Sequence, residues 1–308
     1  NISSGCDLNI FNSESNITDD ISFNVTSLGD FILYSGAGDP RKNLLNLIRS
    51  YAKLSPHYIV KHKLVLAGKL IQPEIENILE LMNNLNLPKD YVVFLGFVSD
   101  EELVTLYRKC FLFIFPSLHE GFGLPVLEAM NCGAAVIASN RTSLPEVIKF
   151  KDALFDPLNI DSIKDLIIKS IDNLEFYNQL KSNSIHRRQF FSWDITAKNS
   201  IEAFEKILFR FKNSSTTLEN KDNYSAFSHL IFNLNRNKMQ YKKYSSKEFY
   251  FKLLASSINI IDDQLRLLKK NRFIFSSEIS SWLMEGPFDS TYSLSILNRE
   301  FALSMINK

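Results

Sequence analysis

Six short apolar runs punctuate the first half of this chain, at 31–35, 63–67, 91–95, 111–115, 134–139 and 153–155. None shows the strict alternation of a strand with one wet face, so each reads as a strand covered on both sides. The stretches between them carry helical patterning. Strands alternating with helices predict an α/β fold, a doubly wound, Rossmann-like parallel sheet with helices on both faces. Ligands of such sheets sit at the carboxyl ends of the strands. Lys42, Val98, Glu120 and the glycine loop that begins at Gly121 all follow strands directly, and this convergence argues for a single site.

The richest stretch is 111–133, FLFIFPSLHEGFGLPVLEAMNCG. Its apolar run stops at Pro116. Gly121 and Gly123 let backbone approach a ligand, Pro125 stands where a helix begins, and Gly133 is placed to end it. The unit is strand, glycine loop, helix, and the free N–H groups at such a helix start make a seat for phosphate. Glu120 and Glu128 flank that seat. A carboxylate repels a diphosphate but accepts hydrogen bonds from hydroxyls, so both acids suit sugars.

This stretch resembles the donor site of the retaining GT-B glycosyltransferases of the family 4 type (glycosyl transferases group 1), whose signature is Glu, seven residues, Glu; here it reads E-GFGLPVL-E. The resemblance implies that Glu128 holds the ribose hydroxyls of a nucleotide sugar and that Glu120 contacts the transferred sugar near its reacting carbon. The amides of Gly121, Phe122, Gly123 and Leu124 would face the phosphates. The first glycine turn, Gly36-Ala37-Gly38, precedes Asp39-Pro40-Arg41-Lys42-Asn43, read as a cap, a first helical residue and two cations in the opening turn of a helix running to about Leu54. Cations oppose the macrodipole there, at about 0.3–1 kcal/mol each if solvated, and a bound anion would reverse that sign. In the family the Lys of this "RKN" segment neutralises the donor diphosphate, which assigns the role to Lys42. The family often carries an Arg directly after the first glycine; this chain has Ala37 there, so the second charge passes to Arg41. The catalytic candidates are thus Glu120, Lys42 and Arg41. Gly36 joins the donor-binding set, and Phe97 and Val98, just after the third strand, are expected to meet the nucleotide base, although Phe97 also reads as a core aromatic.

Composition bounds the partners. With 45% hydrophobic and 22% charged residues and a net charge of +1, nothing argues for nucleic acid, and no apolar run reaches the roughly 20 residues of a spanning helix. Cys6, Cys110 and Cys132 are widely spaced and fit reduced core residues better than a disulfide framework or a metal site. The resemblance implies no cofactor and no metal, a UDP- or GDP-sugar as substrate and a glycan or lipid-linked sugar as acceptor. The expected setting is the cytoplasm at the inner face of a membrane, in bacterial polysaccharide or lipopolysaccharide assembly.

The expected organisation is an interdomain crossing over 1–28, a nucleotide-sugar-binding domain over 29–211, a helical linker over 212–272 and, over 273–308, the start of a second glycosyltransferase N-terminal domain. Gly5-Cys6-Asp7 resembles the turn at which the family's chain enters its C-terminal domain, so an acceptor domain is expected before residue 1. EGPFDSTYSLSILNREFAL resembles the opening of a further N-terminal domain. As cut, the chain is expected to bind donor without transferring sugar. Two other readings stay open. One is a non-catalytic docking module of the same fold, against which the intact Lys42, Glu120 and Glu128 argue. The other is a nucleotide-sugar epimerase, for which His119 is the local acid–base candidate.

Overall fold

A computed structural model describes residues 5–13, 25–192, 194–196, 198, 199, 202 and 206. Trp193, the linker expected at 212–272 and the partial unit at 273–308 lie outside the described residues. The chain divides into a unit of Cys6–Phe191 and a second of Asn1–Gly5 with Ser192–Lys308. In the second, the described residues from Asp194 onward are helical, with Ser192 accepting hydrogen bonds from Ile195 and Thr196 at the start.

The first unit is built on six parallel strands, β1 (Phe31–Ser35), β2 (Lys63–Ala67), β3 (Val92–Gly96), β4 (Leu112–Phe115), β5 (Val136–Ser139) and β6 (Leu154–Phe155), in the order β3-β2-β1-β4-β5-β6. Every residue of β1, β4 and β5 is buried, which is why these runs are continuously apolar. The helices are α1 (Leu44–Ala52), α2 (Pro56–Lys61), α3 (Gln72–Asn84), α4 (Asp100–Lys109), α5 (Leu124–Asn131), α6 (Leu144–Ile148), α7 (Ile160–Asp172) and α8 (Leu174–Arg188). The chain builds outward from β1 to β3, returns to lay β4 beside β1, and then builds the other way. Strand order therefore reverses between β1 and β4, with Ile32 opposite Leu112 and Leu33 opposite Phe113. The chain leaves β1 toward β2 and leaves β4 toward β5, in opposite directions along the sheet, and the crevice outside the strand ends at such a switch point is where such sheets bind ligands.

The structure departs from the sequence reading in three places. The expected helix from Asp39 is broken. Pro40–Lys42 form a short 3-10 turn, Asn43 takes a left-handed conformation (φ 59°, ψ 31°), and α1 starts at Leu44. Arg41 and Lys42 therefore do not sit in the first turn of an α-helix, and the dipole argument made for them fails. α2 was not anticipated; Pro56 at its start and only six residues make it a weak signal. The helical patterning after the last strand, which by sequence reads as one helix over about 161–180, forms two, because Asn173 ends α7 and accepts from Phe176 N–H as the cap of α8.

Glycines end the first three strands for a steric reason. Gly36 N–H donates to Ala67 O (2.9 Å) and Gly68 N–H to Gly96 O (2.7 Å), extending the ladder past the strand ends. A Cβ on Gly68 would stand 2.1 Å from the Gly36 carbonyl oxygen, and Gly68 has φ +135°. Neither the space nor the backbone conformation admits a side chain. Gly68→Ala is expected to lower stability by about 2–3 kcal/mol in urea unfolding; a loss below about 0.5 kcal/mol would show that the three strand ends are not packed this closely.

Candidate functional site

Loops from β1 and β4 meet in the crevice and are bonded to each other along their backbones. Leu118 N–H donates to Arg41 O (2.7 Å), and Ser117 Oγ donates to the same carbonyl (3.1 Å). The left-handed turn at Asn43 has a purpose in this frame. Its buried amide donates to Pro116 O (3.2 Å) and Pro157 O (2.8 Å), tying the β1 loop to the loops that follow β4 and β6. Tyr34 Oη donates to Ala37 O (2.7 Å) and holds the first glycine turn.

Lys42 and Glu120 face each other across this junction. Lys42 Nζ lies 2.7 Å from Glu120 Oε1, with the lysine side chain 15% exposed and the glutamate side chain fully buried. The glutamate backbone is anchored too: Glu120 N–H donates to Thr142 Oγ1 (3.0 Å), and Ser143 Oγ donates to Glu120 O (3.1 Å). Yet Glu120 Oε2 is buried with no hydrogen-bond partner among the described residues. A buried carboxylate oxygen left unsatisfied costs about 1–3 kcal/mol, so this atom is an acceptor waiting for a donor.

Glu128 stands five residues into α5. Tyr107 Oη, on α4, donates to Glu128 Oε2 (3.2 Å) and lies 2.8 Å from Ser35 Oγ at the end of β1. Burial pushes the Glu128 carboxyl up to about 7; the Tyr107 hydrogen bond opposes that rise and the charge of Asp100 adds to it. This acid therefore holds its proton to a higher pH than an ordinary carboxylate.

Between the two acids runs a backbone cradle. Gly123 caps α5 with φ +96°, and its carbonyl takes the N–H groups of Val126 (3.0 Å) and Leu127 (3.3 Å). The N–H groups of Gly121, Phe122, Gly123 and Leu124 donate to no atom of the described residues. Phe122 packs edge-on against Phe191, and a Cβ on Gly123 would lie 2.5 Å from Leu144 Cδ2. Free amides at a helix start attract anions.

The remaining candidates are placed differently. Arg41 turns its guanidinium onto Asp39, at 2.9 and 3.0 Å, and stays 59% exposed; no bond joins it to Lys42 or Glu120. Gly36 follows β1 directly, its N–H bonded to Ala67 O, and a Cβ there would lie 2.9 Å from Tyr34 Oη. Phe97 is 81% exposed, so it is not a core aromatic, while Val98 packs on the core; both follow β3, two strands from β1. His119 is exposed, and its carbonyl lies 3.3 Å from Ser117 Oγ as a second, longer contact of that hydroxyl. In α6 the carbonyls of Glu146 and Val147 accept from the Arg187 guanidinium. Cys6, Cys110 and Cys132 are all buried and free. No described helix is long and apolar enough to cross a membrane. Tyr107 and Ser35 were missed: each occupies an apolar-face position of its element and reads as packing until the partner strand is in place.

Residues 20–187, more than half of the chain, match the family model described as glycosyl transferases group 1. The serotype-specific mannosyltransferase WbdA of Escherichia coli is 43% identical over 179 residues, covering 58% of this chain and 22% of that protein. The O-antigen chain mannosyltransferase B of Escherichia coli is 33% identical over 175 residues, 57% of this chain and 45% of the relative. The chain thus spans less than half the length of these curated relatives. Among solved structures, Anabaena HepE in complex with UDP and glucose superposes with a TM-score of 0.56 at 21% identity, over 66% of this chain and 55% of that one, a likeness of fold.

Two outcomes follow from the geometry. Lys42→Ala strands a fully buried carboxylate and is expected to cost about 3 kcal/mol, whereas the double change Lys42→Met with Glu120→Gln restores most of it; equal losses in both variants would show that the pair is not coupled. Because the folded-state pKa of Glu128 is raised, its stabilising protonated form is complete below about 4.5 and is lost as pH climbs toward about 7. Glu128→Gln should remove a decline of about 2–3 kcal/mol between pH 5 and pH 8, and a curve parallel to the parent's would contradict the raised value.

Proposed function

This chain belongs to the glycosyl transferases group 1 family, and from that premise we propose that its α/β unit is the donor-binding, C-terminal half of a retaining GT-B glycosyltransferase of the family 4 type. The donor is a nucleoside-diphosphate hexose, and GDP-mannose is the choice favoured by the two mannosyltransferase relatives. The setting that fits those relatives is bacterial polysaccharide or O-antigen assembly. The domain at 29–211 supplies donor recognition; 212–272 and 273–308 are proposed as a linker and the start of a second transferase module.

One observation carries the reading: a buried lysine–glutamate pair at the strand-order reversal, with one carboxylate oxygen unsatisfied, beside a helix start whose amides are free. In this reading the diphosphate lies along the amides of Gly123 and Leu124 within reach of Lys42. The ammonium is shared between Glu120 and the departing phosphate, so it stabilises charge that grows as the sugar–oxygen bond breaks. Glu120 Oε2 accepts a hydroxyl of the transferred sugar, and Glu128 accepts the ribose hydroxyls. Both contacts fix the anomeric carbon in front of the acceptor. Arg41 would have to leave Asp39 to reach the phosphates, so Lys42 is the principal cation. Phe97, exposed at the end of β3, offers a face for the base.

Calorimetric titration with GDP tests this. Lys42→Ala, measured where it is folded, should weaken GDP binding about 10- to 100-fold, the loss of one charge-assisted contact of about 1.5–3 kcal/mol. Unchanged affinity would remove Lys42 from the phosphate site.

A further inference from the structure

We infer that Tyr107 is a positioning residue for nucleotide binding, acting through Glu128 as the centre of a Ser35–Tyr107–Glu128 hydrogen-bond chain. The inference rests on the reading of Glu128 as the ribose acceptor. Tyr107 is fully buried on α4, with its ring edge-on to Phe113 of β4 and its hydroxyl between Ser35 Oγ of β1 (2.8 Å) and Glu128 Oε2 of α5 (3.2 Å). One residue thus ties together a strand and two helices around the acid.

The direction of the chain follows from its protons. An ionised carboxylate accepts only, so Tyr107 donates to Glu128 and Ser35 must donate to Tyr107. With Glu128 ionised, both hydroxyl protons are placed. With Oε2 protonated, the chain runs the other way, Oε2–H to Tyr107 Oη and Tyr107 O–H to Ser35 Oγ, and Tyr107 no longer donates to the acid. Burial and the neighbouring Glu128 charge push the phenol far above its ordinary value, so Tyr107 remains a donor throughout the physiological range. The other titratable groups that act on Glu128 or are acted on by it are Asp100 of α4, Cys6 of the N-terminal segment and Cys132 after α5, whose own neighbours include Arg108 and Arg188. Burial raises both thiols, so they stay neutral near pH 7, and Asp100 favours protonation. Among these groups Tyr107 is the one that favours the ionised acid, and it holds Oε2 so that the second oxygen is left for a ligand diol.

The consequence is a pH dependence of binding set by a residue that does not touch the ligand. A diol donates to the carboxylate form, so affinity should rise as Glu128 ionises and level off above its pKa. GDP-mannose, which carries no phosphate monoester, is titrated calorimetrically into the full 308-residue chain from pH 6 to pH 9. The wild type should gain about tenfold in affinity between pH 6 and the plateau. Tyr107→Phe keeps the ring and should move the midpoint up by about one pH unit, weakening binding about fivefold at pH 7 while leaving the pH 9 affinity unchanged. Ser35→Ala should produce a smaller shift in the same direction, and it serves as the measurement if Tyr107→Phe fails to fold. A uniform loss at every pH, or an unmoved midpoint in both variants while Glu128→Gln flattens the profile, would overturn the positioning role and leave the ribose reading standing. A profile that Glu128→Gln does not change would overturn the ribose reading itself, and the inference with it.

Discussion

A buried ion pair at the point where strand order reverses is the interaction on which this unit depends. Placing Lys42 and Glu120 out of water is unfavourable for each alone, and their 2.7 Å contact offsets that cost only while two crossover loops hold the geometry. The loops do so through Leu118 and Ser117 on Arg41 O, and through Asn43 on Pro116 and Pro157. The left-handed Asn43 that interrupts the helix is therefore the same feature that fastens the β1 loop to the β4 loop. Local regularity has been given up so that one lysine can reach one glutamate.

Around that pair the proposed binding surface draws on three kinds of source. Side chains provide Lys42, Glu120 and Glu128. Backbone provides the free amides before α5, where a glycine with positive φ lets the helix begin against Leu144. The interior provides the Ser35–Tyr107–Glu128 chain, which reaches the acid from the core side. The two acids also differ electrically. Glu120 has a cation against one oxygen, while Glu128 takes the Tyr107 hydroxyl and lies near Asp100, and burial raises it to about 7. Such a pair suits a substrate with diphosphate in the middle and hydroxyls at both ends.

How much of this was legible in the sequence depends on what each residue answers to. The strands were readable because burial on both faces leaves no choice but an apolar run, and all six are present to within a residue or two. The strand, glycine loop and helix around Glu120 and Glu128 were readable because Gly121, Gly123, Pro125 and Gly133 punctuate the run, and α5 begins at Leu124 just after Gly123. Asp39-Pro40-Arg41-Lys42-Asn43 was misread because a cap followed by proline is the ordinary opening of a helix, and nothing local shows that Asn43 will be pulled into a left-handed turn by carbonyls 73 and 114 residues away. The join between α7 and α8 was lost because Ile167, Ile171, Leu174 and Tyr177 continue the helical period across Asn173. Tyr107 was missed because a tyrosine on the apolar face of a helix is usually packing; its role appears only when β1 and α5 bring Ser35 and Glu128 to the same hydroxyl. Arg41, adjacent to Lys42 and equally cationic, is drawn to Asp39 instead.

The account's central claim is that one pocket, not two, holds phosphate and sugar hydroxyls. A crystal structure of the chain with bound GDP tests it most directly. The account predicts the diphosphate within hydrogen-bond distance of Lys42 Nζ and of the Gly123 or Leu124 amide, with the ribose hydroxyls on the Glu128 oxygen that Tyr107 does not hold. Nucleotide bound away from the β1–β4 crevice, with the Lys42–Glu120 pair undisturbed and solvent along the amides, would contradict it.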